Sequence, residues 1–441
     1  MSTRSEVATQ LWTRLGGRRV LWFGTRGEDG VPILDVIPDL VVCALTARSA
    51  DSASSSLEEI RGSRMDLDSY DLDADTSAGP RAIAGQLVRH LAEGGVVVPY
   101  RSSRLLSDAA AVGARFGGHV LSPSHHAVAS PEYKPWVEQE VRSLGIPTLE
   151  WHYIDLGDSR TWPAIDGPVV IRPSTTSGGR GISIHPSLHS VGRRRTCQAG
   201  TLVAVSRFLE NGIPLNVAGV VWIDGVTVHP ASVQLIGVPE LTSYDLGYCG
   251  NDFAATGALG REVVAQIESV TRQIGAWLHR TGYRGAFGLD LLLDHDRILF
   301  VECNPRFQGS TFLSSQLAAE ISQSCSILDH LAAWMGVPAP RDRGPLSELV
   351  DALPGRAQAV LHNLTPVPQR FGNRLQRGLR ALPQVHEVGL TSLVPVEPGG
   401  VFARILMRGS VLEPTLRNMD AELRVRLEQL VQGHPTEKTN G

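Results

Sequence analysis

The stretch GAFGLDLLLDHDRILFVECNPRFQGST, Gly285 to Thr311, reads as two apolar strands joined by a turn at Asp294-His295-Asp296. Each strand carries a carboxylate among aliphatic neighbours, Asp290 in the first and Glu302 in the second. A buried carboxylate is costly unless it is paired or binds a metal. Residues two apart in a strand share a face, so Asn304 points the same way as Glu302. A three-residue turn pairs Leu293 with Arg297 and Asp290 with Phe300, and Asp290 then shares that face. Three oxygen donors, two of them anionic, suit Mg²⁺, with the remaining positions left to water and phosphate. Arg306 follows at once, stiffened by Pro305, where a guanidinium neutralises charge developing on a phosphate. A purely structural ion pair between Glu302 and Arg306 is the competing reading.

Upstream, VVIRPSTTSGGRGISI, Val169 to Ile184, reads as a strand, a loop of Ser, Thr and Gly, and a second strand. Small residues let backbone N–H groups approach phosphate oxygens, and hydroxyls add donors. Phosphate flaps of this kind usually bring a lysine. Here the strand ends in Arg172, a permanent charge with a forked set of donors. Of 41 Lys and Arg residues only Lys134 and Lys438 are lysines, which makes the placement of Lys134 informative. An ordinary glycine-rich hairpin is the alternative.

A chain of 441 residues exceeds one ordinary core, so several domains are expected. A formal charge of −4 and a pI near 6.4 argue against a nucleic-acid partner. The cluster Arg193–Arg195 reads as a solvated loop. Cys43, Cys197, Cys249, Cys303 and Cys325 form no CxxC pair. Neither disulfides nor a thiolate zinc site is expected, and the cytoplasm is the natural setting. No apolar run approaches about 18 residues, so no membrane span is expected.

RRVLWFG, PDLVVCAL and GGVVVPY read as buried strands alternating with the helical stretches GPRAIAGQLVRHLAEG and SRLLSDAAAVGARFGG, which implies a small parallel sheet. Gly24 and Gly27 read as a simple turn, because the fuller dinucleotide fingerprint is absent. MDLDSYDLDADT lacks the Gly and Glu of a calcium loop and reads as an exposed acidic loop. Residues 258–281 read as one helix and Ser310 to Trp334 as another. GVPAPRDRGP reads as a boundary and the tail GHPTEKTNG as disordered.

The hairpin GLDLLLDHDRILFVECNPRFQGS resembles the metal hairpin of ATP-grasp enzymes, with an acidic residue on one strand and Glu-x-Asn-Pro-Arg on the next. VVIRPSTTSGGRGI is similar to their phosphate flap, and VAVSRFLENGIPLNVAGVV to the segment around adenine. PEYKPWVEQEVRSLGIP is similar to a helix in which a lysine precedes Gly-Ile-Pro. The four stretches follow the family's order. The resemblance implies an α/β (α+β) fold. A Rossmann-like pre-ATP-grasp domain would occupy 1–128, the small lobe with its flap 129–206, the large lobe with the metal hairpin 207–336, and a C-terminal extension 337–441. It implies ATP and Mg²⁺ as cofactors. Asp290, Glu302 and Asn304 would hold the metal, with Arg306 and Arg172 catalytic. Lys134, Arg172, Ser174, Ser177, Gly178, Gly179, Gly181, Arg207, Phe208, Leu209, Glu210 and Asn216 would bind ATP. Asn216 stands where many relatives carry an acid.

The implied chemistry converts a carboxylate to an acyl phosphate with release of ADP, and an amine then attacks the acyl carbon. A narrower resemblance is to ATP-grasp peptide ligases of natural-product pathways, of the pheganomycin type. It rests on PLNVAGVVWIDGVTVHPASVQLIG and CNPRFQGST. That implies a small-molecule carboxylate, cationic in that family, and an amine or peptide acceptor, with Glu240, Asp245 and Asp252 facing the cation. Gln234, Asn251, Arg284, Gln308 and Ser310 complete the expected substrate contacts. An ATP-grasp kinase and a non-catalytic nucleotide-binding subunit are the rival readings. A homodimer is the default from base rates.

Overall fold

The computed structural model describes residues 2–47, 54–67, 70–174, 178–192, 200–341 and 343–432. Ser177, Arg193–Arg195 and the tail from Gly433 lie outside the described residues. The apolar runs near the N-terminus form a parallel sheet. Its order is Ser54–Ser56, Val41–Thr46, Val20–Arg26, Val96–Pro99, His119–Val120. The chain starts in the middle, runs out to one edge, and returns to the other side at Val96. The carboxyl ends of Val20–Arg26 and Val96–Pro99 therefore flank a topological switch point, where a crevice opens. This is the expected Rossmann-like domain.

The small lobe is an antiparallel sheet ordered His152–Asp155, Leu202–Arg207, Val169–Arg172, Ser183–His185. The large sheet is antiparallel throughout. It runs Arg297–Asn304, Gly285–Asp294, Ile213–Val221, Ser232–Ile236, Tyr248–Asp252, Arg356–His362, Val401–Arg408, Val385–Gly389. Strand alternation divides its side chains. Leu215, Val217, Leu289 and Leu291 pack with Val264, Ile267, Ile274 and Leu278 of the helix Arg261–Arg280. Val220, Trp222 and Ala286 point the other way, into a core shared with Val7 and Leu11 of the helix Thr3–Leu15 and with Leu328 and Leu331. Asn216, Gly288 and Asp290 occupy that second face at the other end of the strands.

Two arrangements differ from expectation. The helix read from Ser310 to Trp334 is two helices, Thr311–Glu320 and Ser326–Trp334. Ser322 between them takes a left-handed φ of 57°, which an α-helix cannot contain. The three strands beyond residue 337 continue the large sheet by main-chain pairing of Gly250, Asn251 and Asp252 with Ala359, Gln358 and Ala357. The C-terminal region is thus hydrogen-bonded to the large lobe. It is also bolted to the N-terminal domain: buried Arg404 pairs with Asp29 at 2.5 Å, and the Leu390 N–H donates to Glu28 at 2.8 Å. Among the described residues no helix is long and apolar enough to cross a membrane.

His330 ties three parts together. Its Nδ1 accepts from the Ala286 N–H at 2.9 Å, so Nε2 carries the hydrogen and donates to Leu121 O at 2.7 Å. Protonation would turn Nδ1 into a donor facing a donor. Burial likewise pulls His330 down to about 4. A histidine depressed in the fold stabilises it fully above its ordinary pKa, and that stability is lost as pH falls from there through about 4. Between pH 7 and 5 this one group should remove about 2 kcal/mol. Urea unfolding of His330→Asn, although weaker at pH 7, should therefore lose about 2 kcal/mol less over that interval than the parent chain. Equal losses would show that His330 titrates normally.

Candidate active site

The hairpin reaches its geometry by a different route from the one the sequence suggests. The turn holds two residues, not three: Asp294 pairs with Arg297, and His295 takes a left-handed φ of 56°. Leu293, Leu292 and Leu291 then face Ile298, Leu299 and Phe300. On that register Glu302 would fall on the core side with Phe300. The register shifts by one at Asp290/Leu291, and Asp290 faces Glu302 directly. Val301 is the extra residue of a β-bulge, which moves every later side chain to the opposite face. Ile298 and Phe300 before it, and Cys303 after it, lie in the core. Glu302 and Asn304 turn to the cleft.

Asp290 is surrounded by carboxamides. Its Oδ1 accepts from Asn216 at 3.1 Å, Gln234 at 3.0 Å and Gln308 at 3.4 Å, and its Oδ2 accepts from Asn304 at 3.0 Å. Asn216 pairs with Asp290 across the sheet, and its Oδ1 accepts from Ser310 at 2.6 Å. Gly288 leaves the room Gln308 needs, since a Cβ there would lie 1.8 Å from it. Burial, and then the charge of Glu302, push the Asp290 carboxyl up to about 6. A cation between the two carboxylates would relieve that cost. Among the described residues no group of three His, Cys, Asp or Glu is placed for a metal. A third donor would be the Asn304 amide oxygen, which accepts from Arg306 at 2.9 Å. Two carboxylates and an amide oxygen on one face fit a hard divalent cation.

A buried chain of charges backs the hairpin. Lys134 Nζ donates to Glu302 Oε1 at 2.7 Å. One helical turn later, Glu138 accepts from Arg172 Nη2 and from the Tyr153 hydroxyl at 2.8 Å. The Arg172 guanidinium lies 3.7 Å over the Trp151 ring, and Nη1 reaches the carbonyl of Val301, the bulge residue, at 3.5 Å. Burial pulls Arg172 down to about 10, against the pull of Glu302. Lys134 and Arg172 thus stand behind the hairpin and do not line the cleft.

The cleft is a cavity of about 250 Å³. Of the expected residues it is lined by Gly178 and Gly179 of the flap and by Asn216, Gln234, Asp290, Glu302, Asn304, Arg306, Gln308 and Ser310. Gly178, Gly179 and Gly181 all take left-handed φ, and a Cβ on Gly179 would lie 2.1 Å from Leu246 O. Glycine is what lets the flap rest on that loop. Ser174, two residues past the strand Val169–Arg172, does not line the cavity. Arg207, Phe208, Leu209 and Glu210 form the link from the small lobe to the strand Ile213–Val221, outside this cavity.

Five expected substrate contacts are elsewhere. Asp252 is fully buried and accepts from Ala255 N–H, Val411 N–H and Ser410 Oγ at 2.7 to 2.8 Å. Glu240 pairs with Arg424 at 3.0 Å. Asn251 donates to Ser232 at 3.0 Å inside the sheet. Asp245 and Arg284 do not line the cavity. Conversely, Arg26, Tyr100, Arg101 and Tyr248 line it and were not expected. For Arg26 and Arg101 a signal existed: Arg26 ends a strand of the parallel sheet and Arg101 lies two residues past the end of the neighbouring one.

Residues 155–310 match the family model described as ATP-grasp domain. A formate-dependent phosphoribosylglycinamide formyltransferase of Pelobacter propionicus is 27% identical over 239 residues, 52% of this chain and 54% of that one. A carbamoyl phosphate synthase large chain of Micrococcus luteus is 30% identical over 194 residues, 41% of this chain and 16% of that one. The chain thus spans about half or less of the length of these curated relatives. Among solved structures, N5-carboxyaminoimidazole synthase of Aspergillus clavatus, in complex with ADP and 5-aminoimidazole ribonucleotide, superposes with a TM-score of 0.59 at 16% identity, covering 95% of this chain and 99% of that one. The biotin carboxylase domain of a Hydrogenobacter thermophilus 2-oxoglutarate carboxylase, with MgADP, ADP and bicarbonate, gives 0.58 at 13% identity over 89% and 86%. At such identity the likeness is one of fold. The bulged acidic hairpin and the glycines Gly178, Gly179 and Gly181 both lie within residues 155–310, the stretch that matches the ATP-grasp domain model.

Proposed function

We propose that the protein is an ATP-dependent, ADP-forming carboxylate–amine ligase. The observation that carries this reading is the direct facing of Asp290 and Glu302, with Arg306 beside them, in a cleft covered by Gly178 and Gly179. Asp290, Glu302 and Asn304 would hold Mg²⁺. Bound there, Mg²⁺ would screen the charge of the ATP phosphates. The flap would bring backbone N–H groups to the phosphates and exclude water from a labile acyl phosphate. Arg306 would stabilise charge developing on the transferred phosphoryl group. The substrate carboxylate attacks the γ-phosphorus, the bond to ADP breaks, and the acyl phosphate forms. The amine then attacks the acyl carbon, phosphate leaves, and the amine loses a proton. No side-chain nucleophile is needed, because the catalysis is positioning and electrostatics. The finer reading, peptide-bond formation in natural-product biosynthesis, is supported by sequence resemblance. Relatives and neighbours with named small-molecule ligands support the coarser one.

Incubation with ATP, Mg²⁺ and pools of acids and amines should give a condensed product by mass spectrometry, and ADP release should depend on the amine. ADP formed with a phosphorylated product and no amide would indicate a kinase, and AMP release would contradict an acyl phosphate. Glu302→Ala should abolish turnover; full activity there would sink the metal assignment.

Arg172 is proposed to act through the bulge and not on phosphate directly. Arg172→Met leaves Glu138 buried beside Lys134 without its fork and should cost about 3–5 kcal/mol. Replacing both partners, Arg172→Met with Glu138→Leu, should recover most of that stability and a measurable part of kcat/KM. A double variant with recovered melting temperature and no ATP turnover would mean that Arg172 touches phosphate.

A further inference from the structure

We infer that the wall of the cleft supplied by the N-terminal domain is an anion subsite. There Arg26 and Arg101, beside Arg306, take up an oxyanion carried by the substrate, a carboxylate or a phosphate separate from the group that reacts. The inference rests on the ligase reading and names its substrate class. Arg26 ends the strand Val20–Arg26, and Arg101 lies two residues past the end of Val96–Pro99. The two strands are neighbours in a parallel sheet, Phe23 facing Pro99. Their carboxyl ends flank the switch point, where such sheets hold ligands. The crevice is fixed to the reacting end of the cleft. The Phe307 N–H donates to Tyr100 O at 3.1 Å, and the Phe307 ring sits 5.5 Å from Trp22 and 6.3 Å from Tyr100. Arg101 is thus positioned from the residue next to Arg306.

The charges favour an anion. The cavity wall carries three guanidinium groups, Arg26, Arg101 and Arg306, against two carboxylates, Asp290 and Glu302. Those carboxylates are committed to a cation, and Glu302 already meets Lys134. A second cavity of about 330 Å³ continues from the first and shares Thr25, Tyr100 and Arg101. Of its three acids, Asp71, Asp73 and Glu132, two are turned to backbone, and Glu132 acts electrostatically on Arg306. Asp73 accepts from the Arg104 and Leu105 N–H groups at 2.8 and 3.0 Å, and Asp71 from the Asp73 N–H at 2.9 Å. The acids Glu240 and Asp252 are spent on Arg424 and on backbone. The wall at Arg26 and Arg101 therefore favours an anion, where the sequence led to expect a cation. Arginine forks match carboxylate and phosphate oxygens two by two.

The test is calorimetric titration of the full chain in MgADP with acetate, with succinate, glutarate and adipate, and with inorganic phosphate. Acetate reports the reacting carboxylate alone. The best dicarboxylate should bind at least about tenfold more tightly than acetate, an advantage worth about 1.4 kcal/mol. Arg26→Gln and Arg101→Gln should each abolish most of it while leaving MgADP affinity within about twofold. Phosphate that displaces the dicarboxylate at lower concentration would assign a phosphate-bearing substrate, and failure to displace it a carboxylate-bearing one; both support the subsite. No dicarboxylate advantage in the parent chain, or an advantage that survives in both variants, overturns it. Failure of the parent chain to bind MgADP would instead overturn the ligase reading.

Discussion

One surplus residue sets the chemistry of this fold. With a two-residue turn, strict alternation would bury Glu302 beside Phe300 in the core of the large lobe. Val301 bulges out, and the strand beyond it is inverted. The same step keeps Cys303 in the core and sends Asn304 to the cleft. A bulge leaves its residue out of the ladder and bends the strand. Here its carbonyl meets Arg172, and the Phe300 N–H donates to Pro147 O at 2.8 Å on the strand's outer edge. The bulge is held from both sides, so the carboxylate pair has one geometry.

The rest of the molecule supports that hairpin from three directions. The helix Lys134–Ser143 supplies Lys134 and Glu138 from one face, four residues apart. The N-terminal sheet grips the residues after Arg306 through Tyr100 and Trp22. The C-terminal strands extend the sheet itself, and Gln358 among them donates to Tyr248 and to Gly309 O at 3.1 and 2.8 Å. Segments far apart in sequence thus meet within hydrogen-bonding reach of the cleft. A site assembled this way is pre-organised by cores already formed.

Much of this was legible in the sequence, for physical reasons that differ by element. The strands of the parallel sheet announce themselves as runs of Val, Leu and Trp, because both their faces are buried. Asp290 and Glu302 stand out because carboxylates inside such runs are costly. The bulge was not legible, since a strand with one extra residue has the same composition as one without. An odd turn and an even turn plus a bulge give the same facing pair, so the right face was reached by the wrong register. The acidic wall failed for another reason. Asp252 ends a strand and Glu240 lies in the loop before it, and sequence does not tell a carboxylate facing a ligand from one facing backbone N–H groups or an arginine. Arg26 and Arg101 were passed over because the glycine fingerprint was absent, although strand ends at a switch point bind ligands without it.

The two carboxylates are neutralised in different ways, and the difference bears on which accepts a cation first. Glu302 has a formal counter-charge in Lys134. Asp290 has only neutral amide donors among its contacts with Asn216, Gln234, Gln308 and Asn304. Amides orient the carboxylate and share its charge without cancelling it, so its affinity for a cation is retained. The same economy explains Asn216. An acid there would place a third carboxylate against Asp290, whose carboxyl is already pushed up to about 6 by burial and Glu302. An amide in that place keeps the register partner, satisfies Ser310, and leaves the repulsion between two groups, which one divalent ion can offset.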